Sequence, residues 1–152
     1  MGFDPFTLKS NSKLENEGAW LDLGDGAALL IARAGNVRFM EKLRDISVPR
    51  AAAIKAGIIS VKEAADMSRH AMPGTILLNW RGITRNEVDV PYSDEQALIY
   101  LEMPDFLSMV EVASNDARRY RDTALEINRG NSLSILNGTS PGALMPRTSA
   151  SG

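Results

Sequence analysis

Between residues 104 and 129 apolar or small side chains recur at Phe106, Val110, Ala113, Ala117, Tyr120, Ala124 and Ile127. The steps alternate between four and three, which holds all of them on one face of an α-helix. The opposite face carries Asn115, Asp116, Arg118, Arg119, Arg121, Asp122 and Arg129. Pro104 suits a first helical turn and Gly130 suits a C-cap. The spacing therefore predicts one helix over 104–129, roughly 40 Å long at about 1.5 Å per residue. Such a helix either packs along its own domain throughout or carries its distal half to another protein. Ala113, Ala117 and Ala124 make shallow knobs, which disfavours a strict coiled coil.

The rest of the chain has to supply what that stripe packs against. At 152 residues, with 44% hydrophobic residues, it is long enough for one domain with a real core. The formal charge is −2 and the pI is near 5.4, so the surface as a whole does not attract nucleic acid. Cysteine is absent, which excludes disulfides, thiolate chemistry and cysteine zinc sites. No apolar run approaches the roughly 20 residues that cross a bilayer, and the N-terminus does not read as a signal peptide. Neither nucleic acid nor membrane is an expected partner.

Residues 1–13 have no period and read as a flexible arm, with Phe3 and Phe6 as its only anchors. A β-hairpin is expected over 19–32. Trp20, Leu21 and Leu23 form its first strand, Gly24-Asp25-Gly26 its turn, and Leu29, Leu30 and Ile31 its second strand. The turn lacks the ligand run of a calcium loop and the length of a phosphate loop. Two strands alone are marginal, so they must pack on helices or on a third strand.

Asn36 can cap a helix running to Arg44 or Ile46, with Val37, Met40 and Leu43 on one face and Phe39 broadening it. A second short helix follows Pro49, over 50–56. Ser60 with Glu63 makes a capping box for a helix through Ala64, Ala65, Met67 and Met72, which Pro73-Gly74 should break. The apolar run 75–80 reads as a short helix in preference to a buried strand. Residues 82–91 form a loop in which Ile83 and Val88 pair as a small flap. Ser93 with Gln96 opens another helix through Ala97, Leu98, Tyr100 and Leu101, and Met103 marks the corner before Pro104. Beyond Gly130 the pattern collapses into a Ser-, Asn- and Gly-rich stretch. The fold class is α+β, mainly α: an N-terminal hairpin packed on about four to six helices, with a long C-terminal helix. The domain plan is an arm over 1–13, a single domain over 14–130 and a flexible tail over 131–152.

No catalytic arrangement is visible. The nucleophile elbow, Walker loop, dinucleotide fingerprint and His-Glu-x-x-His are all missing. His70 is the only histidine and has no acidic cluster beside it. The carboxylate pairs Asp89 with Asp94, and Glu102 with Asp105, fall near turns and helix starts, where capping and solvation account for them. The basic residues Arg38, Lys42 and Arg44 alternate with acids along a solvated helix surface. The expectation is a protein that is not an enzyme and holds no cofactor or metal.

The order of features resembles the tail assembly chaperones of long-tailed, siphovirus-like bacteriophages. The likeness begins with Glu15-x-Glu17-Gly18-x-Trp20 leading into the hairpin, then Ile31-Ala32-Arg33-x-x-Asn36-x-x-Phe39. It continues through Trp80-Arg81-Gly82-Ile83 and Val90-Pro91-Tyr92-Ser93, and closes on Phe106, Val110, Ser114 or Ala113, Asn115-Asp116 and Tyr120-Arg121. It covers roughly residues 15–128. The resemblance implies a non-enzymatic chaperone that binds the tape-measure protein, keeps its helical chain soluble and recruits the major tail-tube protein. It further implies work in the host cytoplasm, absence from the mature virion, and in many such genes a longer frameshifted form. A structural virion protein of the tail or of the head–tail connector is the alternative, and self-association is possible under either.

A chaperone for an apolar helix needs exposed apolar helix surface. If the long helix outruns its domain, Tyr120, Ala124 and Ile127 become that surface, with Arg118 and Arg121 flanking it toward an acidic partner. Ile76, Leu77 and Trp80 are either a second such surface or plain core.

Overall fold

The computed structural model describes residues 2–121. They fall into two units. In one, comprising residues 2–9 and Arg121 among those described, Asp4 caps a 3-10 turn, Pro5–Leu8, by accepting from Phe6 N at 3.0 Å, and Phe3 and Phe6 are exposed. The other unit, Ser10–Tyr120, holds the sheet and the helices. The expected tail, and with it Ala124 and Ile127, lie outside the described residues.

Helix α1 (Ser12–Glu17) starts on Asn11, whose side-chain oxygen accepts from Lys13 N at 2.9 Å. Strands β1 (Ala19–Gly24) and β2 (Ala27–Ile31) form the hairpin. Asp25 (φ 53) and Gly26 (φ 80) are both left-handed, which is the type I′ geometry that matches strand twist. Asn36 is the N-cap of α2 (Val37–Ser47), accepting from Phe39 N at 3.0 Å. Its amide also donates to the carbonyls of Arg33 and Thr75, both at 2.8 Å, so one buried side chain joins helix, strand exit and distant loop. After a 3-10 turn come the short α3 (Ala51–Lys55) and the Ser60-capped α4 (Val61–Ala71).

The apolar run after Pro73-Gly74 is a strand, β3 (Leu77–Arg81), and not the expected helix. It pairs antiparallel with β2, setting Leu29 opposite Trp80 and Ile31 opposite Leu77. Gly74, at φ 78, turns the chain out of α4, and the free edge of β2 offers hydrogen bonds that a six-residue helix would not match. The sheet order is β1-β2-β3, so β2 is central. Its inner face (Leu29, Ile31, Leu77, Trp80) meets Ala71, Met72, Ala97, Leu101 and Val110 in the core. Ile76, Leu77 and Trp80 are thus core.

Two residues of positive φ, Asn86 and Glu87, turn a second small hairpin between β4 (Thr84–Arg85) and β5 (Val88–Asp89). The partner of Ile83 there is Val90, not Val88: Val90 N donates to Ile83 O at 2.8 Å. Ser93 caps α5 (Asp94–Leu101) and Met103 opens α6 (Pro104–Asn115).

Two expectations about helix faces need correction. On α2 the inward residues are Phe39, Leu43 and Ile46, spaced four and three, while Val37 and Met40 are exposed. The helix that begins at Pro104 ends at Asn115 and does not run to 129. Asn115 Nδ2 donates to Glu111 O, and Asp116 adopts extended backbone (ψ 98) with its carboxylate accepting from Arg118 N at 3.2 Å. These side chains compete with the helix for its own backbone groups. A 3-10 turn, Ala117–Tyr120, follows, and it delivers Tyr120 into the core with 0% exposure.

Candidate functional site

Helix α6 is apolar around more than half of its circumference. Val110 and Ala113 face inward. Phe106, Met109 and Val112, preceded by Met103, recur every three residues along a second side: Phe106 and Met109 are half-buried against the core, while Met103 and Val112 are exposed, Val112 at 69%. Met103 precedes Pro104 and is accordingly extended (ψ 121), so α5 and α6 meet at a sharp corner. That corner leaves a concavity on the outside of the helix pair.

The concavity is a groove in three overlapping parts. The first, about 530 Å³, lies between the small hairpin and the helices and is lined by Ile83, Arg85, Ile99, Tyr100, Met103 and Phe106. The second, about 550 Å³, shares Met103 and Phe106 and adds Asp105 and Met109. The third, about 440 Å³, shares Asp105 and Met109 and continues past Val112 to Leu21 and Arg119. Rings that touch one another run from the core into the floor of the groove. Tyr92 to Trp80 is 4.9 Å between centroids, Trp80 to Tyr100 is 5.4 Å, and Tyr100 to Phe106 is 5.7 Å. Trp80 Nε1 donates to Val90 O at 2.7 Å, which fixes the stack against the small hairpin.

The polar groups near the groove are held by neighbours. Tyr92 Oη accepts from Gly74 N at 3.1 Å and lies 2.7 Å from Leu77 O and 2.9 Å from an Asp94 carboxylate oxygen. Burial, reinforced by that carboxylate, pushes the Tyr92 hydroxyl well above the ordinary phenol range. At the far end, hydrogen bonds from Arg118 hold the Asp116 carboxyl below its usual value, with burial opposing. A second concavity, about 230 Å³, sits at the start of α2. Its groups are already joined: Arg33 pairs with Glu15 at 2.8 Å and bonds Ser10, while Asn36 is fully engaged.

Among the described residues no group of His, Asp and Glu is placed to hold a metal ion, and no helix is long and apolar enough to cross a membrane. His70 is exposed, with Nδ1 2.7 Å from Asp66 O one turn earlier.

Of the residues expected from sequence to form a partner surface, Arg118, Tyr120 and Arg121 are among the described residues. Tyr120 is core, Arg118 pairs with Asp116 at 3.2 Å, Arg121 is the last described residue, and Ala124 and Ile127 lie beyond. The groove residues Ile99, Met103, Met109 and Val112 were missed. For Met103, Met109 and Val112 the signal was present as a three-residue recurrence from Met103, masked by the longer four-and-three stripe that shares Phe106; Ile99 stands one turn before it.

A family model for the YdaY prophage protein matches residues 34–131, more than half of the chain. The chain belongs to the YdaY prophage protein family. The YdaY match begins after β2 and takes in α2 through α6, so it includes the helices of the α5–α6 groove and leaves the first hairpin, with Leu21, outside. It makes the chain a phage-associated protein. Comparison with curated proteins and with solved structures gives no match.

Proposed function

We propose that this YdaY-family chain is a non-enzymatic tail assembly chaperone. In this reading the α5–α6 groove holds an apolar helical stretch of the tape-measure protein in the host cytoplasm, and the complex then recruits tail-tube subunits. The observation that carries the reading is the continuous run of Ile99, Met103, Phe106, Met109 and Val112 along an open groove. A client helix with apolar side chains on one face lays that face into such a groove. The two thioethers adapt to different client side chains, as suits a protein that must hold successive segments of a long helix. Helix α6 spans roughly 18 Å, about three turns of client. The prophage family supports the phage setting, and the resemblance to tail assembly chaperones supplies the client's identity.

Co-expression with the tape-measure protein tests this. The chain should raise the client's soluble fraction and co-purify with it, and Ile99→Asp/Met103→Asp should do neither while remaining folded. Particles purified from the lysate should lack the chain. Stoichiometric retention in particles would replace the chaperone with a structural subunit of the tail or head–tail connector.

A further inference from the structure

The segment between α2 and α4 is an exposed apolar arm. The 3-10 turn Val48–Arg50 leads into α3, which lies against that turn, and a C-terminal motif then closes the helix. Ile58 N donates to Ala53 O at 3.0 Å, Gly57 N donates to Ile54 O at 3.1 Å, and Gly57 takes φ 73, so the arm has a defined shape. Val48, Ile54, Ile58 (72% exposed) and Val61 (89%) all point to solvent. Four exposed aliphatic side chains thus fall within 14 residues of chain.

The charges divide the same way. Residues 33–62 contain seven bases and two acids, and within the arm, 48–61, there are two bases and no acid. Arg50 is engaged by Glu63 at 2.6 Å, whereas Lys55 has no carboxylate in ion-pair reach among the described residues. Residues 86–117, which build the groove's helices, contain eight acids and no base. Glu102 is exposed beside Met103, and Asp105 lies within the groove itself. Arg85 at one mouth and Arg119 at the other are the exceptions.

We infer that the arm of one copy docks in the α5–α6 groove of another, with Ile54 and Ile58 on Met103 and Phe106 and Lys55 toward Glu102 and Asp105. The two surfaces differ in sequence and sign and lie on the same chain. The contact is therefore heterologous, and it repeats head to tail. Opposite charges set partner and orientation, and apolar burial supplies the affinity. The inference uses the groove assigned above to the client, and so rests on that reading: a neighbour's arm shields the groove until the client displaces it.

The test is sedimentation velocity of the full chain without client, up to about 1 mM. Wild type should form species that grow with concentration, and raising ionic strength from about 0.01 M to about 1 M should weaken them at least fivefold. The arm variant Ile54→Asp/Ile58→Asp and the groove variant Ile99→Arg/Met103→Arg alter exposed positions only. Each should keep the wild-type circular dichroism and weaken self-association at least tenfold. Mixed, they should give a one-to-one dimer that grows no further, because one contributes an intact groove and the other an intact arm. A wild type that stays monomeric, variants that assemble like wild type, or a mixture that stays monomeric would overturn the inference. No client is present, so these outcomes are separate from loss of client capture, which faults the chaperone reading alone.

Discussion

Tyr120 Oη donates to the main-chain oxygen of Ile31 across 3.1 Å, joining residues 89 apart in sequence. Ile31 ends the central strand, and Tyr120 follows the break after α6. The bond locks the end of the helical layer to the middle of the sheet, and it explains why a side chain that continues an apolar stripe belongs inside. Tyr120→Phe should lower stability by about 1 kcal/mol, which is about 4 °C in Tm for a domain of this size. Tyr120→Ala should cost about 3–5 kcal/mol. Thermal unfolding by circular dichroism measures both. A Tyr120→Ala variant with wild-type Tm would return this residue to the surface.

Gly82 is required by space as well as by backbone. A Cβ there would stand 2.6 Å from Gly26 O and 2.8 Å from Ala27 Cα, and the residue sits at φ 67. Backbone cannot swing aside as a side chain can. Gly82→Ala should therefore destabilise by at least about 2 kcal/mol, whereas Gly35→Ala, which carries a similar φ of 76 in open space, should cost less. Paired urea titrations give the comparison, and equal midpoints would mean that the hairpin turn and Gly82 are not in contact.

Local chemistry made much of this fold legible. Asn36, Ser60 and Ser93 each cap the helix their side chains foretold, and Asp25-Gly26 turns the hairpin. What was illegible had nonlocal causes. The run Ile76-Leu77-Leu78 lacks a decisive period, and it became a strand because β2 had an unpaired edge nearby. The four-and-three stripe persists past 115, but the Asp116 carboxylate takes Arg118 N and Ala34 N donates to Ser114 O, so the pair of backbone groups that would have continued the helix is engaged elsewhere. The groove was hidden for a related reason. A helix apolar on two sides presents two overlapping periods, and sequence alone does not say which side the core takes.

Tyrosine ionisation should report on the core. Burial raises the hydroxyl of Tyr120 to about 12, against the pull of Arg119 and Arg33, and it raises Tyr92 further. Unfolded phenols ionise near about 10. The folded chain thus holds both protons longer, and the associated stability is fully present below about pH 10 and is lost as pH rises through the folded values. Absorbance near the phenolate band should show two late-titrating groups in the folded chain, one of them absent in Tyr92→Phe. Full ionisation of every tyrosine before unfolding would contradict their burial.

A photo-crosslinker placed in the chain reads whether a helical client seats in the α5–α6 groove. At position 103 the probe sits on the groove; at position 79 it sits on exposed Asn79 of β3. Both variants are expressed with the tape-measure protein and irradiated before lysis. An adduct to the tape-measure protein is expected from position 103 and none from position 79. An adduct from 79 alone, or from neither while the two proteins still co-purify, would place the client elsewhere.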